Sequence, residues 1–108
     1  MNEDYPIIVK TYNLTRWYID KLAKIPRNHR YTLGEKIQNS LLNLLLLLND
    51  TIYTKEKRPL QIEANKEIER LRLLTRLLKD LSILSEDNYR FISTSLNEIG
   101  KMLGGWMR

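Results

Sequence analysis

An all-α fold, an antiparallel up-down-up-down four-helix bundle, is what the sequence predicts, and three observations carry the prediction. The 108 residues include 20 Leu and 11 Ile but a single Val, Val9, with four Gly and three Pro, a composition that suits helix over sheet. Apolar residues recur at spacings of three and four in four separate stretches. The connections between those stretches are short, which favours antiparallel neighbours.

The first stretch spans residues 5–24, with Ile8, Tyr12, Ile19 and Leu22 on one face. Ile25-Pro26 ends it, because the residue before a proline disfavours helical backbone. Thr32 is placed to cap the second helix, with Glu35 three residues on as the other half of a capping box. That helix, residues 33–53, carries Leu33, Ile37, Leu41, Leu44, Leu48 and Ile52. The charged run from Lys55 to Arg58 leads to Pro59, near the first turn of a third helix over residues 60–81, through Ala64, Ile68, Leu71, Leu74, Leu78 and Leu81. Ser85 suits an N-cap for the fourth, residues 86–107, where Glu86 and Asp87 complement the helix dipole. Ile92, Leu96, Ile99, Leu103 and Trp106 form its apolar stripe. No repeat or interdomain linker divides the chain, so the expected organisation is one bundle over residues 1–108.

Composition narrows the function. Hydrophobic residues make up 43%, enough for a core and too many for a disordered tail. The absence of cysteine excludes disulfides, thiolate zinc sites and a cysteine nucleophile. The acidic start, Met1-Asn2-Glu3-Asp4, is unlike a secretory signal, and the longest apolar run, Leu44 to Leu48, is far short of a membrane span. The expectation is a cytoplasmic protein with no membrane association.

Leucine is in excess of what one core needs. In the run from Leu41 to Leu48 leucines point all round the helix axis, whereas a bundle helix needs one apolar stripe. Leu42, Leu46 and Leu47 are therefore candidates for a contact between subunits, a locally greasy, well-buried helix being the alternative. Gly100 and Gly104, four apart on the last helix, are candidates for a close approach of two helices at the same interface, a fraying C-terminus being the alternative.

The charge is +5, from 18 Lys and Arg against 13 Asp and Glu, and it is uneven. Arg16, Lys21, Lys24, Arg27 and Arg30 face only Asp20 in their segment. An up-down-up-down bundle puts Arg27, His29 and Arg30 at the same end as Arg76, Lys79 and Arg90. Glu35, Asp80, Glu86 and Asp87 are near enough to neutralise part of that end, and Arg76 can pair with Asp80 at i,i+4 spacing. These nine basic residues are the candidate nucleic-acid contacts, with Trp17, Tyr18 and Tyr31 as possible stacking surface. Lys55, Lys57 and Arg58 make a smaller basic group at the opposite end. A solvated polar face is the competing explanation for both.

Nothing points to catalysis. His29, the single histidine, sits among arginines with no partner for a nucleophilic triad. Glu63, Glu67 and Glu69 have Lys66, Arg70 and Arg72 at helical spacings and read as surface ion pairs. No Glu-x-x-His pair or glycine-rich phosphate loop is present. The expectation is a non-enzyme with no catalytic residues, no metal and no cofactor.

Two segments resemble a known family. Ile25-Pro-Arg-Asn-His-Arg-Tyr-Thr-Leu-Gly34 is similar to the first turn of the accessory variability determinant (Avd) proteins of diversity-generating retroelements, and Ile99-Gly-Lys-Met-Leu-Gly-Gly-Trp106 resembles the end of their fourth helix. The stretch from Arg70 to Lys79 fits their third helix. The resemblance implies a basic four-helix bundle forming a homopentameric ring. It also implies partners: nucleic acid, as structured template RNA or an RNA/DNA hybrid, and a reverse transcriptase whose mutagenic cDNA synthesis and retrohoming it supports. A wider bacterial four-helix bundle family shares the fold, and the expectation is that contacts made by the basic tail some Avd proteins carry after the terminal tryptophan are not made here. The alternative reading is a protein-interaction bundle without RNA binding.

Overall fold

A computed structural model describes residues 3–107, leaving Met1, Asn2 and Arg108 outside the described residues. Four long helices are present and, among the described residues, no strand: α1 (Pro6–Leu22), α3 (Glu35–Ile52), α4 (Arg58–Asp80) and α5 (Glu86–Trp106), with a one-turn helix α2 (Arg27–His29) before α3. Each long helix packs against its neighbours in sequence, and α5 returns to α1, so the four close in a cycle. The result is an elongated antiparallel bundle, 42 × 23 × 22 Å. Its core is built from Ile8, Leu14, Tyr18 and Leu22 of α1, Ile37, Leu41, Leu44 and Leu48 of α3, Ala64, Ile68, Leu71 and Leu78 of α4, and Ile92, Leu96, Ile99 and Leu103 of α5.

Two apolar positions leave the predicted core, Tyr12 and Leu81, which are exposed; Ile19, Leu33, Ile52, Leu74 and Trp106 are half-buried against it. At 100° per residue, the stripe of α1 centres on Thr11, Leu14, Tyr18 and Leu22, and Tyr12 falls outside it.

The capping box at Thr32 and Glu35 does not form. Pro26 ends α1's connection in an extended conformation and the chain is helical again from Arg27, so Thr32 lies inside a helical path. Its hydroxyl donates to the His29 carbonyl (3.3 Å), and Arg30–Gly34 make a widened, π-type turn that feeds α3 without a break. Gly34 has a packing reason to be there. A Cβ at this position would lie 3.2 Å from Cδ1 of Ile25, which folds into the core beneath the turn.

The other ends follow ordinary capping chemistry. Ser85 accepts from the Asn88 backbone N–H (3.1 Å). Ser85→Ala should cost about 1 kcal/mol in denaturant unfolding, because it orphans that donor. At the end of α4 the Ile83 and Ser82 N–H groups donate to the Leu78 and Lys79 carbonyls, both at 2.9 Å, a Schellman closure. Ser82 holds the left-handed position at φ 60°, where side chains are strained. Ser82→Gly is expected to stabilise the fold by about 0.5–1 kcal/mol, read as a raised midpoint at unchanged slope.

Two buried polar links bind the helices. The Tyr18 hydroxyl and Thr75 Oγ1 share a 2.9 Å hydrogen bond from α1 to α4. Burial pushes the Tyr18 phenol up from 10.0 to about 12, against the opposing effect of the Thr75 hydrogen bond. The folded state thus keeps a proton that the unfolded state has lost. This stability is complete below the unfolded value of 10.0 and is lost as pH rises towards about 12, at up to about 1.4 kcal/mol per pH unit. Tyr18→Phe should melt earlier than the parent at neutral pH, and the gap should narrow above pH 10. The second link is Glu67, which receives Ser40 Oγ (2.6 Å), Asn43 Nδ2 and Arg70 Nη1 (3.4 Å). The expected pair with the exposed Arg70 forms, but the Glu67 carboxylate is buried between α3 and α4 instead of lying at the surface; Glu63–Lys66 and Glu69–Arg72 pair at the surface.

Candidate nucleic-acid interface

The connection between α1 and α3 and the one between α4 and α5 lie at the same end of the bundle, because the four helices alternate in direction. Around that end stand eight cations (Lys21, Lys24, Arg27, Arg30, Lys36, Arg76, Lys79, Arg90) and five carboxylates (Asp20, Glu35, Asp80, Glu86, Asp87). Much of the positive charge is answered locally. Arg76 Nε reaches both Asp80 oxygens at 3.1 and 3.2 Å, and this hydrogen bonding, with a further contribution from Tyr89, raises the Arg76 pKa. Lys79 Nζ lies 3.6 Å from Glu86 and 4.6 Å over the Tyr89 ring. Lys24 meets Asp20 at 3.5 Å, in an exposed pair worth little in water.

The rest of the predicted set divides. Arg27 and Arg90 are exposed and, among the described residues, enter no ion pair. Arg30 is exposed, with Nη2 donating to the Ile25 carbonyl (3.2 Å), which steadies the guanidinium beside Arg27. His29 is half-buried, its Nε2 3.3 Å from the Asn28 amide. Lys21 lies 5.3 Å over the Trp17 ring. Arg16 stands apart, since five residues of helix separate it from Lys21 by about 140° around α1. Tyr18 cannot stack on anything outside the protein, being wholly buried; Tyr31 is exposed and Trp17 half-buried. At the far end Lys57 is consumed by structure, its Nζ donating to the carbonyls of Thr51, Ile52 and Thr54 at the end of α3.

The residues expected at a subunit contact also divide. Leu46 is 59% exposed and Leu42 is exposed, whereas Leu47 is half-buried against the core. Gly100 faces α4 within the chain: a Cβ there would lie 3.1 Å from Nη2 of Arg72, whose Nη1 bonds Asn97. Gly104 is exposed, with nothing near its missing Cβ. Leu73 and Leu77 are exposed leucines on α4 that the apolar stripe did not include, and Leu81, expected in that stripe, is exposed beside them at the end of the helix. Spacing could have found the first two, since they lie four apart and outside the stripe of Leu71 and Leu78.

Among the described residues no group of three or more His, Asp or Glu side chains is placed to hold a metal ion, and no helix is long and apolar enough to cross a membrane. The arrangement is a helical scaffold with a partly neutralised basic end and unpartnered leucines. The bAvd-like family model matches residues 7–108, nearly the whole chain. The chain belongs to the bAvd-like family. This is the Avd family of diversity-generating retroelements, which the turn at Pro26 and the glycines before Trp106 resemble. No curated protein matches the chain. In this bAvd-like protein the two motifs have structural tasks: the turn positions Arg27 and Arg30 and seats Ile25, and Trp106 packs on Tyr5 at 5.9 Å.

Proposed function

We propose that this protein is a non-catalytic accessory factor of a diversity-generating retroelement, which binds template RNA and the reverse transcriptase to support mutagenic cDNA synthesis. Family membership across residues 7–108 carries the reading. The exposed cations Arg27, Arg30 and Arg90 support it, as phosphate ligands at one end of the bundle. Arg16, Lys21, Lys24, His29, Arg76 and Lys79 are further candidate contacts.

The working form in this reading is a homo-oligomer, a pentameric ring by family likeness. Repeating a modest basic end around a ring raises effective concentration and turns weak phosphate contacts into useful affinity. Recognition of a particular sequence is not expected, since no sequence-reading module is visible among the described residues, and RNA shape and backbone would carry most of the affinity.

Equilibrium binding of a structured RNA across a salt series tests the nucleic-acid part. Steep loss of affinity with salt is the expected result, at a log–log slope near −0.9 per duplex phosphate neutralised. Absence of binding at low salt would leave a protein-interaction bundle, for which the exposed leucines speak. Co-purification with the reverse transcriptase tests the second partner. For the assembly, Leu46→Arg should give a folded but smaller species in sedimentation, while Leu47→Arg, against the core, should lower the melting temperature.

A further inference from the structure

A groove of about 600 Å³ runs along the seam between α1 and α5, from Pro6 and Val9 up to Trp17 and Phe91. At its upper mouth the Trp17 and Phe91 rings are 4.6 Å apart, centre to centre, tilted by 52°. Trp17 is half-buried, and Phe91 is 45% exposed. Phe91 is not part of the stripe that builds the core: Ile92, one position on, points inward in its place. Lys21 lies 5.3 Å over the indole at this mouth, and the turn bearing Arg27 follows towards the end of the bundle, Lys24 between them being paired with Asp20. Lower down, the groove's Lys10 is neutralised by Glu98, so positive charge is concentrated at the aromatic end. Asn13, exposed within the same groove, has an amide able both to donate to and to accept from a base edge.

We propose that Phe91 and Trp17 form a stacking site for an unpaired nucleotide of single-stranded RNA, whose flanking phosphates lie over Lys21 and Arg27. The inference rests on the RNA-binding reading above and adds to it a place and a chemical class: an unstacked base, not a duplex backbone. An aromatic ring braced by a second ring loses little freedom when a base settles on it, and every base has a π-face to offer. Adjacent cations supply the backbone attraction that such sites combine with stacking.

The test uses the two tryptophans. Trp106→Phe leaves Trp17 as the sole indole, and this protein is titrated with a short single-stranded RNA and with the same strand made abasic at its central positions. The expected result is quenching of Trp17 by the base-containing strand only, which binds between about 5-fold and 150-fold tighter than the abasic one for each stacked base. Phe91→Leu keeps apolar volume but no aromatic face, and should bring the two strands level; Phe91→Tyr should restore the difference. Equal affinity for both strands with Trp17 unquenched would overturn the stacking site and leave the RNA reading standing. Binding of structured RNA but of neither single strand would do the same. No binding of any RNA would overturn both.

Discussion

Leu44→Ala is expected to destabilise the bundle by about 2–5 kcal/mol, while Leu46→Ala, two positions further along the same helix, should change the protomer by less than about 0.5 kcal/mol. Leu44 is fully buried, so truncation removes its transfer free energy and leaves a cavity that the α3–α4 packing cannot close. Leu46 is 59% exposed and turns away from the core, so the same chemical change removes little. Denaturant unfolding of dilute protein, where association does not contribute, measures both. Equal losses at the two positions would mean that Leu46 is covered within the protomer, and would remove the best surface for subunit contact. The comparison is sharp because the run from Leu41 to Leu48 contains one residue type apart from Asn43, so position around the axis is what differs.

Charge reversal at the first turn has the second large expected effect, on RNA binding. Arg27→Glu with Arg30→Glu removes two cations and adds two anions, taking the formal charge from +5 to +1. RNA affinity should fall by about tenfold or more at 0.1 M salt, and the salt dependence should flatten by about 0.9 for each lost duplex contact, or about 0.7 on single strands. Thermal stability should fall by no more than about 1–2 kcal/mol, because Arg27 has no ion pair among the described residues and Arg30 gives up one part-buried hydrogen bond, to the Ile25 carbonyl. Unchanged affinity would move the phosphate contacts away from this turn. The turn is the informative place to reverse charge because its arginines are not already answered: Arg76, Lys79 and Lys24 each hold a carboxylate, and reversing them would disturb Asp80, Glu86 or Asp20 as well.

The four helices and the buried stripes of α3 and α5 were legible from spacing, because a period of three to four apolar residues has one low-energy solution when the helices must share a core. The Ser85 cap was legible for a local reason, one hydroxyl reaching a backbone N–H three residues away. The Thr32 cap had the same local grammar and did not form. Gly34 lets Ile25 drop into the core, and the chain re-enters helix at Arg27, earlier than any cap would start it. That choice depends on a contact between residues nine apart, which no capping rule contains.

Basic character and the residues at each end of the bundle follow from composition and helix direction, which the sequence by itself determined. Local spacing already pairs Arg76 with Asp80 and Lys24 with Asp20; which of the remaining charged groups are free was decided by tertiary structure. Glu67, a surface partner by spacing, is turned inward because Ser40 and Asn43 on α3 offer its oxygens hydrogen bonds that offset the loss of water. Tyr18, a candidate stacking ring by position, instead crosses the core to Thr75 on a helix 57 residues away. Phe91, outside the buried stripe of α5, has Trp17 beside it only because α5 closes the cycle against α1. Periodicity assigns a side chain to a face of its own helix; the neighbouring helix decides whether that face holds a core, a buried hydrogen bond or an open surface.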